Sequence, residues 1–172
     1  MSQFQQRRQR LARAVRGIGA DAILVTNFTN VTYLTGFTGD DSYLLVGDAV
    51  EVLMSDPRYT QQLGEECPDL DLAIRKPSTT NVTTVERVVK KAGIRTLAVE
   101  SGSMTLQLHA EIAAKLPATT LHPTNGLVER LREIKDKHEI AEIREAVQLA
   151  EQAFGVIRAA LRPEQTEREL SF

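Results

Sequence analysis

The chain has 172 residues, of which 42% are hydrophobic and 26% are charged, and its net charge of −2 excludes the basic footprint of a nucleic-acid-binding protein. No apolar run approaches the roughly 20 residues needed to span a bilayer, so no membrane partner is expected. A single cysteine, Cys67, excludes an internal disulfide, and with no signal-peptide core after Met1 it favours a cytoplasmic location.

Helix and strand signals alternate along the first half of the chain. A first helix is predicted from apolar residues that share one face, namely Phe4, Leu11, Val15 and Ile18. Residues 21–26 have the pattern of a buried strand, and residues 30–34 that of a short helical turn. Segments 43–46 and 50–54 flank a Gly-Asp-Ala turn and predict a β-hairpin.

The pattern continues as far as residue 125. The predicted elements are a helix opened by Pro57 and capped by Asp56, an edge strand at 70–74, a helix at 84–92, a strand at 96–100, a helix capped by Ser103 that runs to Leu116, and a strand at 119–121. Strands separated by helices predict a three-layer α/β/α fold. Its mixed sheet would have five or six strands, with one antiparallel hairpin.

A long amphipathic helix follows residue 135. Asp136 and Glu139 form a capping-box pattern, and Pro163 is expected to end the helix. Its apolar residues make one continuous stripe: Ile140, Ile143, Val147, Ala150, Phe154, Ile157 and Leu161. Such a stripe requires a cover, either from the core of its own domain or from another polypeptide.

The chain contains no complete catalytic constellation that can be recognised from its residues. It has no His-Glu-x-x-His motif, no phosphate-binding loop and no dinucleotide glycine pattern. His109, His122 and His138 fall in different predicted elements, without carboxylates at metal-ligand spacing. No strand-to-helix elbow surrounds a serine or cysteine nucleophile. We therefore predict no catalytic residue and no metal ligand within these residues.

Two segments nevertheless carry concentrated polar and aromatic character. The segment 30–42 combines two glycines, an aromatic residue expected to be exposed, and two adjacent carboxylates between buried strands. Loops on a rigid sheet often bind ligands, but glycines and acids also serve plain turns. The segment 55–59 places Asp56 at a helix start, two residues before Arg58 and three before Tyr59. Each segment, taken alone, is explained by local capping and packing.

Taken in order, the segments resemble a known family. The matching pieces are Asp21–Thr26, Asn30–Gly39, Asp56–Tyr59, Leu131–Ile140 and Thr166–Leu170. Together they are similar to the N-terminal domain, the linker and the first catalytic helix of an Xaa-Pro aminopeptidase or prolidase, which are pita-bread metallopeptidases. The resemblance implies a ribonuclease-H-like domain over residues 1–125, a linker over 126–135, and the start of a truncated catalytic domain over 136–172.

The resemblance also implies a function for the parent protein. Such an enzyme would cleave Xaa-Pro peptides with two divalent metals, manganese, cobalt or zinc, bound in the missing catalytic domain, so the fragment would hold no cofactor. Its N-terminal domain would mediate a homodimer or higher homo-oligomer and hang the loop Gly36–Ser42 over the neighbouring active site. By resemblance, Phe37 could wall the substrate pocket, while Asp40 or Asp41 could meet the amino terminus of a peptide substrate.

Two other functions remain compatible with the same resemblance. A creatinase-like amidinohydrolase would share both domains but needs no metal, so metal content would separate it from a peptidase. A catalytically inactive, peptidase-like binding module would instead bind a basic protein partner. Within the fragment alone, the apolar stripe of the long helix would be left to self-association.

Overall fold

The computed structural model describes residues 2–170 of the chain. It contains two compact units, Met1–Glu133 and Ile134–Phe172. The first unit holds the sheet and its covering helices, and the second holds the long helix. The first unit extends through residues 127–133, which form a helix where the sequence suggests a linker.

The first unit is organised around a six-stranded sheet in the order β4-β3-β2-β1-β5-β6. Its strands are β1 (Ala22–Val25), β2 (Tyr43–Gly47), β3 (Val50–Ser55), β4 (Asp71–Ile74), β5 (Thr96–Glu100) and β6 (Thr120–Thr124). β2 pairs antiparallel with both β1 and β3, and the other three pairings are parallel. The predicted mixed α/β fold is confirmed, with two antiparallel pairings because β2 lies between β1 and β3.

Helices cover both faces of this sheet. They are α1 (Gln3–Gly17), α2 (Phe28–Thr35), α3 (Thr60–Glu66) after a 3₁₀ turn (Pro57–Tyr59), α4 (Asn81–Ala92), α5 (Leu106–Lys115) and α6 (Leu127–Glu133). The predicted cap of α5 is wrong, because the Thr105 hydroxyl rather than that of Ser103 accepts from the Leu108 N–H at 3.1 Å. β6 runs to Thr124 and includes Pro123, which an edge strand tolerates.

The sheet separates two apolar cores because successive side chains of a strand point to opposite faces. In β1, Ile23 and Val25 face one core while Ala22 and Leu24 face the other. The first core also contains buried residues of α1, α2, α3 and α6, and the second contains buried residues of α4 and α5. The unit is therefore the predicted three-layer arrangement, with the strands covered on both sides.

The guanidinium of Arg8, on α1, is completely buried on the side of the sheet that holds the first core. Its Nε donates to Glu51 at 2.7 Å, its Nη2 to Asp69 at 2.7 Å, and its Nη1 to the carbonyl of Leu34 at 3.1 Å. These partners lie on β3, before β4 and near the end of α2. One buried cation thus fixes α1 against three separate segments.

The second unit contains the predicted long helix, α7 (Lys137–Ala160), and the short α8 (Glu167–Leu170). The capping box is present, since the Asp136 side chain accepts from the N–H groups of His138 and Glu139, and the Glu139 side chain accepts from the Asp136 N–H. None of the residues of α7 is buried. No helix within residues 2–170 has both the length and the apolarity for crossing a membrane.

We predict that Arg8→Ala lowers the free energy of unfolding by about 3 kcal/mol, because it leaves Glu51 and Asp69 without their shared cation. Arg10→Ala is the matched control, since Arg10 is an exposed arginine of the same helix, and it should change stability by less than about 0.5 kcal/mol. Urea unfolding of the two variants measures the difference. Equal effects would contradict a structural role for the buried ion pairs.

We also predict that Cys67 is inert in the folded protein. Its thiol is buried and donates to the carbonyl of Thr35 at 3.6 Å, and burial raises the pKa of Cys67 to about 11. A disulfide reagent at pH 8 should therefore react roughly a hundredfold more slowly than with a free thiol. The stability gained from the protonated thiol is complete below the unfolded pKa and is lost as the pH rises toward 11. Rapid labelling without denaturant would contradict this.

Candidate functional site

The candidate loop, Gly36–Ser42, begins where α2 ends. Gly36 has a φ of 79°, and its N–H donates to the carbonyl of Thr32 at 2.8 Å, which closes the last turn of α2. A Cβ at this position would lie 2.7 Å from the ring of Phe4 on α1. Both the left-handed backbone and the close aromatic ring therefore require glycine here.

Phe37 is not the exposed aromatic that the sequence suggests, because its side chain is completely buried in the first core. Its ring meets that of Tyr59 edge to face, with 5.5 Å between the centroids and an interplanar angle of 86°. Gly39 lies against both rings, since a Cβ there would come within 2.5 Å of Phe37 and 2.9 Å of Tyr59. The loop is folded over this aromatic pair, so the ring of Phe37 supports the loop and is closed to solvent.

Asp40 is the exposed carboxylate of the loop. The hydroxyl of Tyr59 donates to its Oδ1 at 2.7 Å, and this hydrogen bond raises the pKa of Tyr59. Tyr59 thus connects the buried ring of Phe37 to a surface acid. The other oxygen of Asp40 has no hydrogen-bond partner among residues 2–170. Asp40 is therefore oriented by the protein and available to a ligand.

Asp41 occupies a different environment from its neighbour. Its φ of 51° lies in the left-handed region, which aspartate tolerates better than most residues. Its carboxylate accepts from the side chains of Arg75 and Asn81, each at 2.7 Å, and lies 3.7 Å from the guanidinium of Arg58. Both oxygens of Asp41 are engaged, so this residue anchors the loop to the start of α4.

Asp56 joins the same cluster from the end of β3. It caps the 3₁₀ turn by accepting from the Arg58 N–H at 2.9 Å, and it also accepts from the Nε of Arg58 at 2.8 Å. A guanidinium nitrogen of Arg75 donates to its second oxygen. The bond from the Arg58 backbone, followed by that from the Arg58 side chain, lowers the pKa of Asp56. The carboxylate is held in its charged form.

The structure assembles this site from predicted and unpredicted residues. Asp40, Asp41 and the segment 55–59 come together as one cluster around the loop. No role for Arg75 or Asn81 is predicted from the sequence, because their carboxylate partners lie at least 19 residues away along the chain. An arginine directly after a strand and an asparagine at a helix start are the available signals, and both are common.

The chemistry of the cluster is ion pairing and hydrogen bonding. Its acids, Asp41 and Asp56, are paired with Arg58 and Arg75, while Asp40 accepts from a phenol. Residues 2–170 hold no group of three or more histidine, cysteine or acidic side chains arranged to bind a metal. The geometry suits recognition of a positively charged ligand group by Asp40.

Known proteins resemble the chain in sequence. A family model described as the creatinase/prolidase N-terminal domain matches residues 7–134. The uncharacterized peptidase YqhT of Bacillus subtilis (strain 168) is 32% identical over 146 residues, which is 85% of this chain and 41% of that protein. The chain therefore spans less than half the length of this relative.

Solved structures are similar to the chain in fold. An Xaa-Pro dipeptidase from Bacillus anthracis has a TM-score of 0.89 at 30% identity, covering 98% of this chain and 46% of that one. The N-terminal domain of the cytoplasmic peptidase PepQ from Mycobacterium tuberculosis H37Rv has a TM-score of 0.67 at 33% identity, covering 73% of this chain and 98% of that one. The similarity therefore includes an N-terminal domain that was solved by itself.

We predict that Asp56→Asn destabilises the protein at neutral pH and that this effect shrinks in acid. Because the folded pKa of Asp56 is lowered, its contribution is present above the ordinary carboxyl pKa and is lost as the pH falls through the folded value. The difference between wild type and variant in urea unfolding should be full near pH 7, should begin to shrink below roughly pH 4, and should reach its minimum only below the lowered folded pKa of Asp56. A difference that stays constant with pH would contradict the charged role of Asp56.

Proposed function

The chain belongs to the creatinase/prolidase N-terminal domain family, and from this premise we propose that it is the non-catalytic N-terminal domain of a proline-specific metallopeptidase. The observation that supports the proposal most directly is the fold similarity to an Xaa-Pro dipeptidase over 98% of this chain at 30% identity. The parent enzyme would cleave Xaa-Pro peptide bonds as an aminopeptidase or a dipeptidase.

The proposed catalytic centre would lie in a separate catalytic domain, outside residues 2–170. The pita-bread catalytic domain would hold two divalent metals, manganese, cobalt or zinc. The carboxylates of the loop cluster fit such ions poorly, because Asp41 and Asp56 are already neutralised by arginines. The metals would activate the water nucleophile and polarise the scissile carbonyl. The part assigned to this chain is to bind and enclose the substrate.

Substrate enclosure is assigned to the loop Gly36–Ser42. In a cytoplasmic homodimer or higher homo-oligomer, the loop of one subunit would cover the active site of its neighbour. Asp40 is the better of the two predicted acids for contact with the substrate amino terminus, because it is exposed and keeps one oxygen available. Asp41 holds the loop in position, and Phe37 supports it from within the core.

We predict that the full-length protein hydrolyses Xaa-Pro peptides when manganese is added, and that Asp40→Asn raises KM about tenfold, since the contact with the substrate ammonium loses its negative charge. Steady-state kinetics on a dipeptide and a longer Xaa-Pro peptide measure both effects and separate the two peptidase activities. Asp71→Asn is the control, because it removes the same charge from an exposed residue of β4.

The two parts of the proposal fail in different ways. An absence of hydrolysis with manganese, cobalt or zinc would exclude the peptidase function. Metal-dependent hydrolysis with the same KM for wild type, Asp40→Asn and Asp71→Asn would keep the peptidase function and exclude the contact by Asp40. Sedimentation of the full-length protein as a monomer would exclude enclosure by a neighbouring subunit.

A further inference from the structure

Asn30, on α2, connects two sequence motifs that lie far apart along the chain. Its side chain is completely buried. The amide nitrogen donates to Glu100 at 2.7 Å and to Glu129 at 2.6 Å, and the amide oxygen accepts from Arg132 at 3.1 Å. Both amide hydrogens and the carbonyl are therefore used, and two of the three partners belong to α6.

Tyr33 adds a second polar contact one turn further along α2. Its hydroxyl donates to the main-chain carbonyl of Leu131 at 3.0 Å. Two segments that the sequence distinguishes as separate motifs thus meet between α2 and α6, through Asn30 and Tyr33 of one and Leu131 and Arg132 of the other. A main-chain acceptor makes this contact depend on the backbone position of α6 rather than on its side chains.

The apolar docking of α6 is small in comparison. Val128 is its one buried side chain, and Leu127 and Leu131 are partly buried against the first core. A helix of seven residues is too short to persist by itself in water. The helix also packs against α1, and the polar contacts from α2 add bonds of defined direction that apolar packing does not supply.

The same network reaches the first strand. Glu100, at the end of β5, is buried, and its second oxygen accepts from the N–H groups of Thr26 and Asn27 at 2.6 and 2.9 Å. Asn30 thus shares a carboxylate with the turn that follows β1. The sheet therefore fixes the position of Asn30, and Asn30 in turn holds α6 through its bonds to Glu129 and Arg132.

We propose that the side chains of Asn30 and Tyr33 together form a latch that holds α6 on the first unit. In this proposal α6 is a strap, a short helix that can detach while the sheet stays folded. The strap ends at Glu133, the last residue of the first compact unit. The latch therefore determines where the chain leaves that unit. This inference rests on the contacts within the first unit and is independent of the proposed peptidase function.

The latch can be tested by hydrogen–deuterium exchange in the full-length protein. Asn30→Ala removes three hydrogen bonds and should accelerate exchange of the α6 amides at least about tenfold. Tyr33→Phe keeps the aromatic ring that lies 4.2 Å from the Arg7 guanidinium and removes the bond to Leu131, so about threefold is expected. Exchange in β1 should remain as in wild type in both variants.

Thr84→Val is the matched control, because it removes a buried hydroxyl from α4 on the opposite face of the sheet and should leave α6 exchange unchanged. Tyr33→Phe decides the question if Asn30→Ala does not fold. Unchanged exchange of α6 in Tyr33→Phe, or equal acceleration in α6 and β1, would overturn the proposal.

Arg132→Ala, alone and combined with Asn30→Ala, should show non-additive acceleration of α6 exchange, and additive effects would exclude coupling between Arg132 and Asn30.

Discussion

The completely buried guanidinium of Arg8 is the constraint on which the arrangement around the loop depends. A charge removed from water is tolerated only when its hydrogen bonds are made, so the positions of Glu51, Asp69 and the Leu34 carbonyl determine where α1 can lie. With α1 held there, Phe4 covers Gly36 at the start of the loop. The cation also lies at the carbonyl end of α2, where the helix dipole favours positive charge.

Helix α2 links the buried Arg8 site to two other parts of the first unit, one near each of its ends. Near its start, Asn30 is tied to β5 and α6, and at its end Gly36 turns the chain into the loop. The loop then packs against the rings of Phe37 and Tyr59, and Arg75 holds it by donating to Asp41. Asp40 is the acidic side chain that emerges from this support with an available oxygen. A rigid base carrying one oriented, exposed carboxylate is an arrangement suited to recognition.

Local chemistry made much of the fold predictable from the sequence. The hairpin of β2 and β3 and the capping box of α7 depend on neighbouring residues, and both are present as expected. The burial of Phe37 depends on Tyr59, and the difference between Asp40 and Asp41 depends on Arg75 and Asn81, which come from other elements. Helix α6 has little intrinsic stability and depends on contacts to α1 and to Asn30 that no local pattern reveals.

Strand β6 has a consequence for the solubility of the domain. Thr120 and Thr124 direct their main-chain groups toward β5, since the Thr120 N–H donates to Arg95 and the Thr124 carbonyl accepts from Ser101. By alternation, Leu121 and Pro123 direct theirs outward, and proline has no N–H to offer. An unfolded or foreign strand approaching this side would meet an interrupted row of donors. This edge of the sheet is thereby protected against the addition of further strands.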